Sequence, residues 1–238
     1  MTTIKAILFD KDGTLFDYHK TWANWSRAFL LDMAQGDAAL ARKLGDAVGF
    51  EWDFSAFRKD STLVSHTPND IAAALLPLLP GASMAGIVTR MSTLSATVPQ
   101  AEATPLVPLM DELMGRGFTL GVVTNDMERP ARAHLREAGI EAAFERIIAC
   151  DSGFPAKPAP DMLLAFAEMC GLEPGEVLMV GDSAHDMAAA RRAGMPRVAV
   201  LTGVATRALL EPLADAVLPS VAGLPKWLRA QQPGQCAA

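Results

Sequence analysis

The chain has 238 residues, half of them apolar and a fifth charged, with a formal net charge of −6. That length suits one sizeable domain or a core domain with a smaller insertion, and the composition is ordinary for a globular protein. Lys and Arg are scattered with no basic block, which argues against a nucleic-acid footprint.

Ile4–Phe9 is a short apolar run with β-branched residues, the pattern of a buried strand. From Tyr18 to Val98 the character changes. Apolar residues recur at helical spacing over Thr21–Gln35, Ala38–Val48, Asn69–Leu79 and Met84–Thr97, each run ending near Gly or Pro. No strand signal of comparable strength appears there, so this stretch reads as an all-helical insert placed after the first strand.

From Pro105 strands and helices alternate. Helices are expected at Leu106–Arg116, Arg129–Ala138, Asp161–Cys170, Ala184–Ala193 and about Val221–Leu228. Strands are expected at Thr119–Thr124, Arg146–Ala149, Val177–Val180, Arg197–Leu201 and, shortest, Val217–Leu218. Strands joined by single helices imply right-handed crossovers and a parallel sheet covered on both faces. The polar tail Gln231–Ala238 is expected to fray.

Cys150, Cys170 and Cys236 form no CxxC pair, and the four histidines have no zinc spacing. Reduced thiols in a cytosolic protein are the expectation. The most apolar stretch, Ile71–Leu79, is interrupted by Pro77 and too short to span a bilayer. Met1–Lys5 leads into a short run without the length or cleavage site of a signal peptide, so a cytoplasmic location is expected.

The chemistry concentrates in turns that follow strands. Asp10-Lys11-Asp12-Gly13-Thr14 follows the first strand, and Gly181-Asp182-Ser183-Ala184-His185-Asp186 follows Val177–Val180. Carboxylates at the carboxyl ends of buried parallel strands are costly unless a cation compensates them, and that sheet edge is where ligands bind. In Asp10-x-Asp12-Gly13, one carboxylate can attack phosphorus while the other moves protons; taken alone, a calcium loop or a plain turn gives the same letters. Thr124-Asn125-Asp126 ends another strand and offers donors to phosphate oxygens, or merely a helix cap. Lys157 stands in a loop stiffened by Pro158 and Pro160, where its ammonium can neutralise phosphate and the clustered carboxylates. Asp182 and Asp186, four residues apart at a helix start, can face one point above the strand and suit Mg²⁺.

Together these turns make the chain resemble the haloacid dehalogenase-like hydrolase superfamily, in its phosphoglycolate phosphatase-like branch with a helical cap. The carriers are Phe9–Asp17, Val122–Asn125, Lys157–Pro160 and Gly181–Met187, and the similarity spans Ile4 to about Leu228. The resemblance implies a Rossmann-like three-layer α/β core from residues 1–17 and 99–238, with an all-helical cap domain at 18–98. It implies Asp10 as nucleophile and Mg²⁺ ligand, and Asp12 as general acid and then base, with its backbone carbonyl on the metal. Thr124 and the backbone N–H of Asn125 would hold the phosphoryl group, Lys157 would steady it and the nucleophile, Asp182 would bind the metal, and Asp186 would support the metal from behind. An acid at residue 12 favours phosphate esters over haloacids and phosphonates. Lys11 is unusual where a hydrophobic residue is commoner, and where its charge points is open.

By the same resemblance the substrate is a small phosphorylated metabolite, phosphoglycolate first, with no nucleic-acid or membrane partner, and the chain acts as a monomer or homodimer. A sugar-phosphate phosphatase or phosphomutase is the nearest alternative, and a catalytically silent phosphate-binding regulatory protein the alternative of another class. In the cap, Arg58 or Lys59 is placed to meet a substrate carboxylate, and His19, Lys20 and Trp22 to line the cleft. His185 is expected near solvent.

Overall fold

A computed structural model describes residues 3–231; Cys236 and the tail beyond Gln231 lie outside the described residues. Six strands form one parallel sheet: β1 (Ala6–Phe9), β4 (Thr119–Val123), β5 (Arg146–Ile148), β6 (Val177–Gly181), β7 (Arg197–Val200) and β8 (Ala216–Leu218). Their order is β5-β4-β1-β6-β7-β8. β1 therefore lies between β4 and β6, where the winding reverses, and the loops after these three strands meet at one edge. The register aligns them: Phe9 is level with Val122 on one side and Val180 on the other.

The strands are near-continuous apolar runs because both faces are covered. Five helices serve the sheet: α6 (Leu106–Gly115), α7 (Glu128–Glu137), α8 (Asp161–Met169), α9 (Ala184–Ala193) and α11 (Leu224–Gln231). Alternate residues of β1 go to opposite layers: Ile7 and Phe9 pack with α6 and α11, whereas Ala6 and Leu8 pack with α8 and α9. This is the expected α/β sandwich. Of the α-helices here, the sequence reading missed only the four-residue α10 (Arg207–Leu210). Gln231, assigned to the fraying tail, instead ends α11.

Between β1 and β4 the chain leaves the sheet and returns. The two crossings run side by side, with Asp17 N–H donating to the Ala101 carbonyl at 2.7 Å and an antiparallel bridge between Phe16 and Glu102. The insert comprises α1 (Tyr18–Met33), α2 (Ala38–Val48), α3 (Thr62–Ser65), α4 (Pro68–Leu75) and α5 (Met84–Ser95). Its starts are capped by side chains: Asp17 for α1, Asp37 for α2, and a Thr67–Asp70 capping box for α4. Its buried apolar residues, all between Tyr18 and Val98, form a cluster separate from those of the sheet.

The insert departs from all-helical in one place. β2 (Phe50–Glu51) and β3 (Ala56–Phe57) form a two-residue antiparallel ribbon. Each strand is too short to show alternation, and Gly49, in left-handed conformation at φ 77°, turns the chain from α2 into it. Among the described residues no helix is long and apolar enough to cross a membrane.

Candidate active site

The turn after β1 starts from a fixed point, because Asp10 N–H donates to the Val180 carbonyl at 2.9 Å. Its carboxylate meets Lys157, whose Nζ is 2.7 Å from Asp10 Oδ1, 2.7 Å from Asp186 Oδ1 and 2.9 Å from the Val123 carbonyl. Lys157 is itself held by an exchange with Asn125. The Lys157 N–H donates to Asn125 Oδ1 at 3.0 Å, and Asn125 Nδ2 returns a bond to the Lys157 carbonyl at 2.9 Å. One ammonium thus joins the turns after β1, β4 and β6.

Asp186 uses both oxygens. Oδ1 faces Lys157, while Oδ2 accepts from Ser183 N–H and Ser183 Oγ at 3.0 and 2.6 Å. Ser183 and Asp186 also form the capping box that starts α9, so the same acid is helix cap and site support. Asp10, Asp182 and Asp186 each bring a carboxylate oxygen within 4.8 Å of the others. Asp182 is hemmed in by glycines. A Cβ at Gly13, which sits at φ 81°, or at Gly203 in the loop after β7 would overlap its carboxylate. Nothing in the sequence pattern pointed to Gly203.

Burial raises the Asp10 carboxyl to about 7, with Asp186 and Asp12 adding to the rise and Lys157 opposing it. Burial, then Asp10 and Asp186, also hold Asp182 well above the usual carboxylate range. Burial alone would push the Lys157 ammonium down, but Asp10 and Asp186 outweigh it and raise its pKa above the ordinary value. Three acids sharing one cation have unmet demand for positive charge. The donors are all hard oxygens, which fits Mg²⁺.

Asp12 turns away from this cluster. Its Oδ1 accepts from Trp22 Nε1 of α1 at 2.9 Å, and its Oδ2 lies 3.1 Å from Lys11 Nζ. The open question about Lys11 has a definite answer. Its side chain is fully buried, 2.6 Å from Asp126 Oδ2 and 2.8 Å from His134 Nδ1. His134 Nε2–H donates to the Ser95 carbonyl at the end of α5 at 2.8 Å, so Nδ1 is the free acceptor for the ammonium. Burial, then Lys11, lowers the His134 pKa, consistent with a neutral ring. Asp126 was named only as part of the turn after its strand, and His134 not at all; a lysine between the two acids of the first turn was the only hint of this cluster.

The cleft above these groups is lined by Thr124, Asn125, Lys157, Asp182 and His185 from the sheet side, and by Trp22, Trp25, Leu63, Ser65, His66, Ile71 and Met91 from the insert. The remaining basic candidates are elsewhere. Arg58 donates to the Asp46 carbonyl at 2.7 Å and lies 3.6 Å from Asp60, while Lys20 pairs with Asp17 at 2.9 Å. Both are engaged by residues near them in sequence, outside the cleft lining. Lys59 and His19 are exposed and also outside the lining. His185 departs from its expected solvent position: it is half-buried, and its Nδ1–H donates to the Ser65 carbonyl at 3.1 Å. Asn125 Nδ2 donates to the same carbonyl at 2.8 Å. Burial and Asp151 push the Cys150 thiol up to about 12, which disfavours the reactive thiolate.

A family model described as haloacid dehalogenase-like hydrolase matches residues 4–194. A phosphoglycolate phosphatase of Rhodospirillum rubrum is 32% identical, the match covering 97% of this chain and 93% of that protein. A phosphoglycolate phosphatase of Xylella fastidiosa is 29% identical over 84% of this chain and 81% of its own length. The crystal structure of a predicted phosphoglycolate phosphatase from Haemophilus somnus superposes with a TM-score of 0.71 at 21% identity, covering 95% of this chain and 99% of that one. At that identity the likeness is one of fold.

Proposed function

The chain belongs to the haloacid dehalogenase-like hydrolase family, and from that premise we propose that it hydrolyses a small phosphate monoester, with Mg²⁺, through an aspartyl-phosphate on Asp10. The observation that carries this reading is the Lys157 ammonium bonded to Asp10 and Asp186 beside Asp182, with Asp12 two residues beyond Asp10. Residues 18–98 act in it as a cap over the cleft, and residues 1–17 and 99–238 as the core.

Asp10 attacks phosphorus with the oxygen not engaged by Lys157. As the P–O bond to the leaving group breaks, Asp12 gives its proton to the departing oxygen. Asp12 then takes a proton from water, which attacks the acyl phosphate and regenerates Asp10. Thr124 and the Asn125 backbone N–H receive phosphoryl oxygens, and Lys157 offsets their charge while holding Asp10 in line. Asp10, Asp182 and the Asp12 carbonyl would hold Mg²⁺, with Asp186 supporting the site through Lys157 and Ser183. The ion supplies charge neutralisation for the phosphoryl group. The cap excludes water from this exchange.

The names of the two relatives make phosphoglycolate the first ester to assay, followed by a panel of phosphorylated sugars, acids and nucleotides. Phosphate release that requires Mg²⁺ and disappears in Asp10→Asn is the expected result. A protein inert toward the whole panel would be a phosphate-binding regulator instead. Isomerised sugar phosphate without free phosphate would make it a phosphomutase.

A further inference from the structure

Asp12, the acid of the proposed reaction, is held at both carboxylate oxygens. Its Oδ1 accepts from Trp22 Nε1 of α1 at 2.9 Å. Its Oδ2 lies 3.1 Å from Lys11 Nζ, which is 2.8 Å from His134 Nδ1, and the other ring nitrogen of His134 donates to the Ser95 carbonyl that ends α5. The two oxygens are thus tied to the first and last helices of the insert. Trp22 completes the frame: it meets the His134 ring edge-on, centroids 5.9 Å apart and planes at 66°, and Lys11 Nζ lies 5.7 Å from the Trp22 ring centroid. The frame holds the side chain of Asp12 and leaves its backbone carbonyl, the group that would hold Mg²⁺, outside it.

An ammonium has three protons to donate and accepts none. Lys11 Nζ has three partners for them: Asp126 Oδ2 at 2.6 Å, His134 Nδ1 at 2.8 Å and Asp12 Oδ2 at 3.1 Å. Asp126 is fixed independently, since its Oδ1 accepts from the Met127 N–H at 2.7 Å, and His134 is fixed by Ser95. The ammonium therefore sits where these two place it, and Asp12 takes the position of its Oδ2 from the ammonium. Without the His134 acceptor only two carboxylates compete for Lys11, and the nearer, Asp126, draws it away from Asp12. Misplacing a reacting group by about 1 Å costs roughly a hundredfold in rate. Neither Lys11 nor His134 lines the cleft, so each reaches the chemistry only through its neighbours.

We propose that His134 is a positioning residue for proton transfer: by fixing the Lys11 ammonium between Asp126 and Asp12, it sets the Asp12 carboxylate against the leaving oxygen. This rests on reading the chain as a phosphatase in which Asp12 is the acid. A residue that acts through the acid matters in proportion to how much the leaving oxygen needs a proton. An alkoxide needs one as the P–O bond breaks, whereas para-nitrophenolate is stable near neutral pH and departs without one. A residue that merely supports the fold affects both kinds of ester alike.

The test compares kcat/KM, which reads the step that breaks the ester, for para-nitrophenyl phosphate and for alkyl phosphates (phosphoglycolate and phosphorylated sugars) on the intact protein with Mg²⁺. His134→Gln puts an amide near the Nε2 position and removes the acceptor at Nδ1. It is expected to lower kcat/KM for the alkyl esters roughly tenfold to a hundredfold, with little change for the nitrophenyl ester. His134→Asn puts its amide near the Nδ1 position and is expected to recover most of that loss. A ¹⁵N spectrum of the histidine rings in the wild type needs no variant, and there His134 is expected to carry its proton on Nε2 with Nδ1 bare. A proton on Nδ1, no loss in His134→Gln, equal losses for the two kinds of ester, or no recovery in His134→Asn overturns the role of His134 and leaves the phosphatase reading intact. So does a wild type that uses the nitrophenyl ester and no alkyl ester. Release of phosphate from none of the esters overturns the phosphatase reading and the inference with it.

Discussion

Trp22 Nε1 donates to Asp12 Oδ1 at 2.9 Å, so the first helix of the insert is bonded to the acid two residues beyond the proposed nucleophile. That bond fixes the Asp12 carboxylate and ties its orientation to the position of the insert. Hydrogen bonds to a charged group contribute about 1.5–3 kcal/mol, which in a transition state is roughly ten- to a hundredfold in rate. Trp22→Phe retains the ring packed on Trp25 and is expected to lower kcat by that factor with a smaller change in KM. Steady-state kinetics with any hydrolysed ester decides it, and an unchanged kcat would separate Trp22 from the proton transfer.

Lys11 tests a different kind of contribution. Its ammonium has no exposure and serves Asp12, Asp126 and His134 at once. Burial alone would lower its pKa, and Asp12 and Asp126 reverse that to a net rise. Lys11→Met fits a side chain of similar length but leaves both acids and the His134 acceptor without their partner. Breaking one side of a buried ion pair costs about 3–5 kcal/mol. A lower urea midpoint with an unchanged m-value is the expected outcome, and a variant as stable as the wild type would show the cluster to be energetically idle.

The Lys11 cluster also marks the boundary of what the sequence made legible. Asp10, Thr124, Lys157 and Asp182 could be named because each follows a strand or stands in a proline-stiffened loop, and parallel strands present their carboxyl ends on one edge. Lys11 could be seen but not aimed, since its direction depends on α7 and α5 meeting beside it, a contact between segments more than eighty residues away. The insert shows the same limit in reverse. Arg58 was chosen for its charge, yet Asp46 and Asp60 lie close enough in sequence to engage it locally. Trp22 carries no charge, yet its Nε1 donates to Asp12 at the edge of the site. Helix and strand periods reveal which face is buried; they do not reveal which buried polar atom lacks a partner.

Mg²⁺ should act on stability in a pH-dependent way. Burial raises Asp10 from an ordinary 3.8 to about 7, so the metal-free folded chain holds that proton more tightly than the unfolded chain. Stability then falls as pH rises from about 4 to about 7, by up to roughly 1.4 kcal/mol per pH unit for the one group. Below that window Asp32 and Glu176, held under their ordinary values by Arg90 and Lys5, pull the other way. Mg²⁺ competes with the proton and stabilises the folded state by mass action. The rise in Tm on adding Mg²⁺ is therefore expected to be small near pH 5 and to grow toward pH 8. A pH-independent rise would mean that the ion does not bind at these carboxylates.

Asp182→Asn is expected to split stability from metal binding. Burial, Asp10 and Asp186 hold the Asp182 carboxyl well above its usual range, so above the ordinary carboxylate range its ionisation is a cost to the metal-free fold. Asn occupies nearly the same volume between Gly13 and Gly203, where a larger side chain would collide, and it removes that charge. The metal-free variant should melt above the wild type near pH 8, by roughly 2–4 °C for each kcal/mol recovered in a chain of this size. With Mg²⁺ present the order should reverse, because the wild type gains binding energy that an amide oxygen supplies less well. Thermal melts of both proteins, with and without Mg²⁺, give four values whose crossing is the prediction. A variant less stable in both states would mean that the Asp182 carboxylate supports the turn itself, and parallel gains from Mg²⁺ in both proteins would take Asp182 out of the metal site.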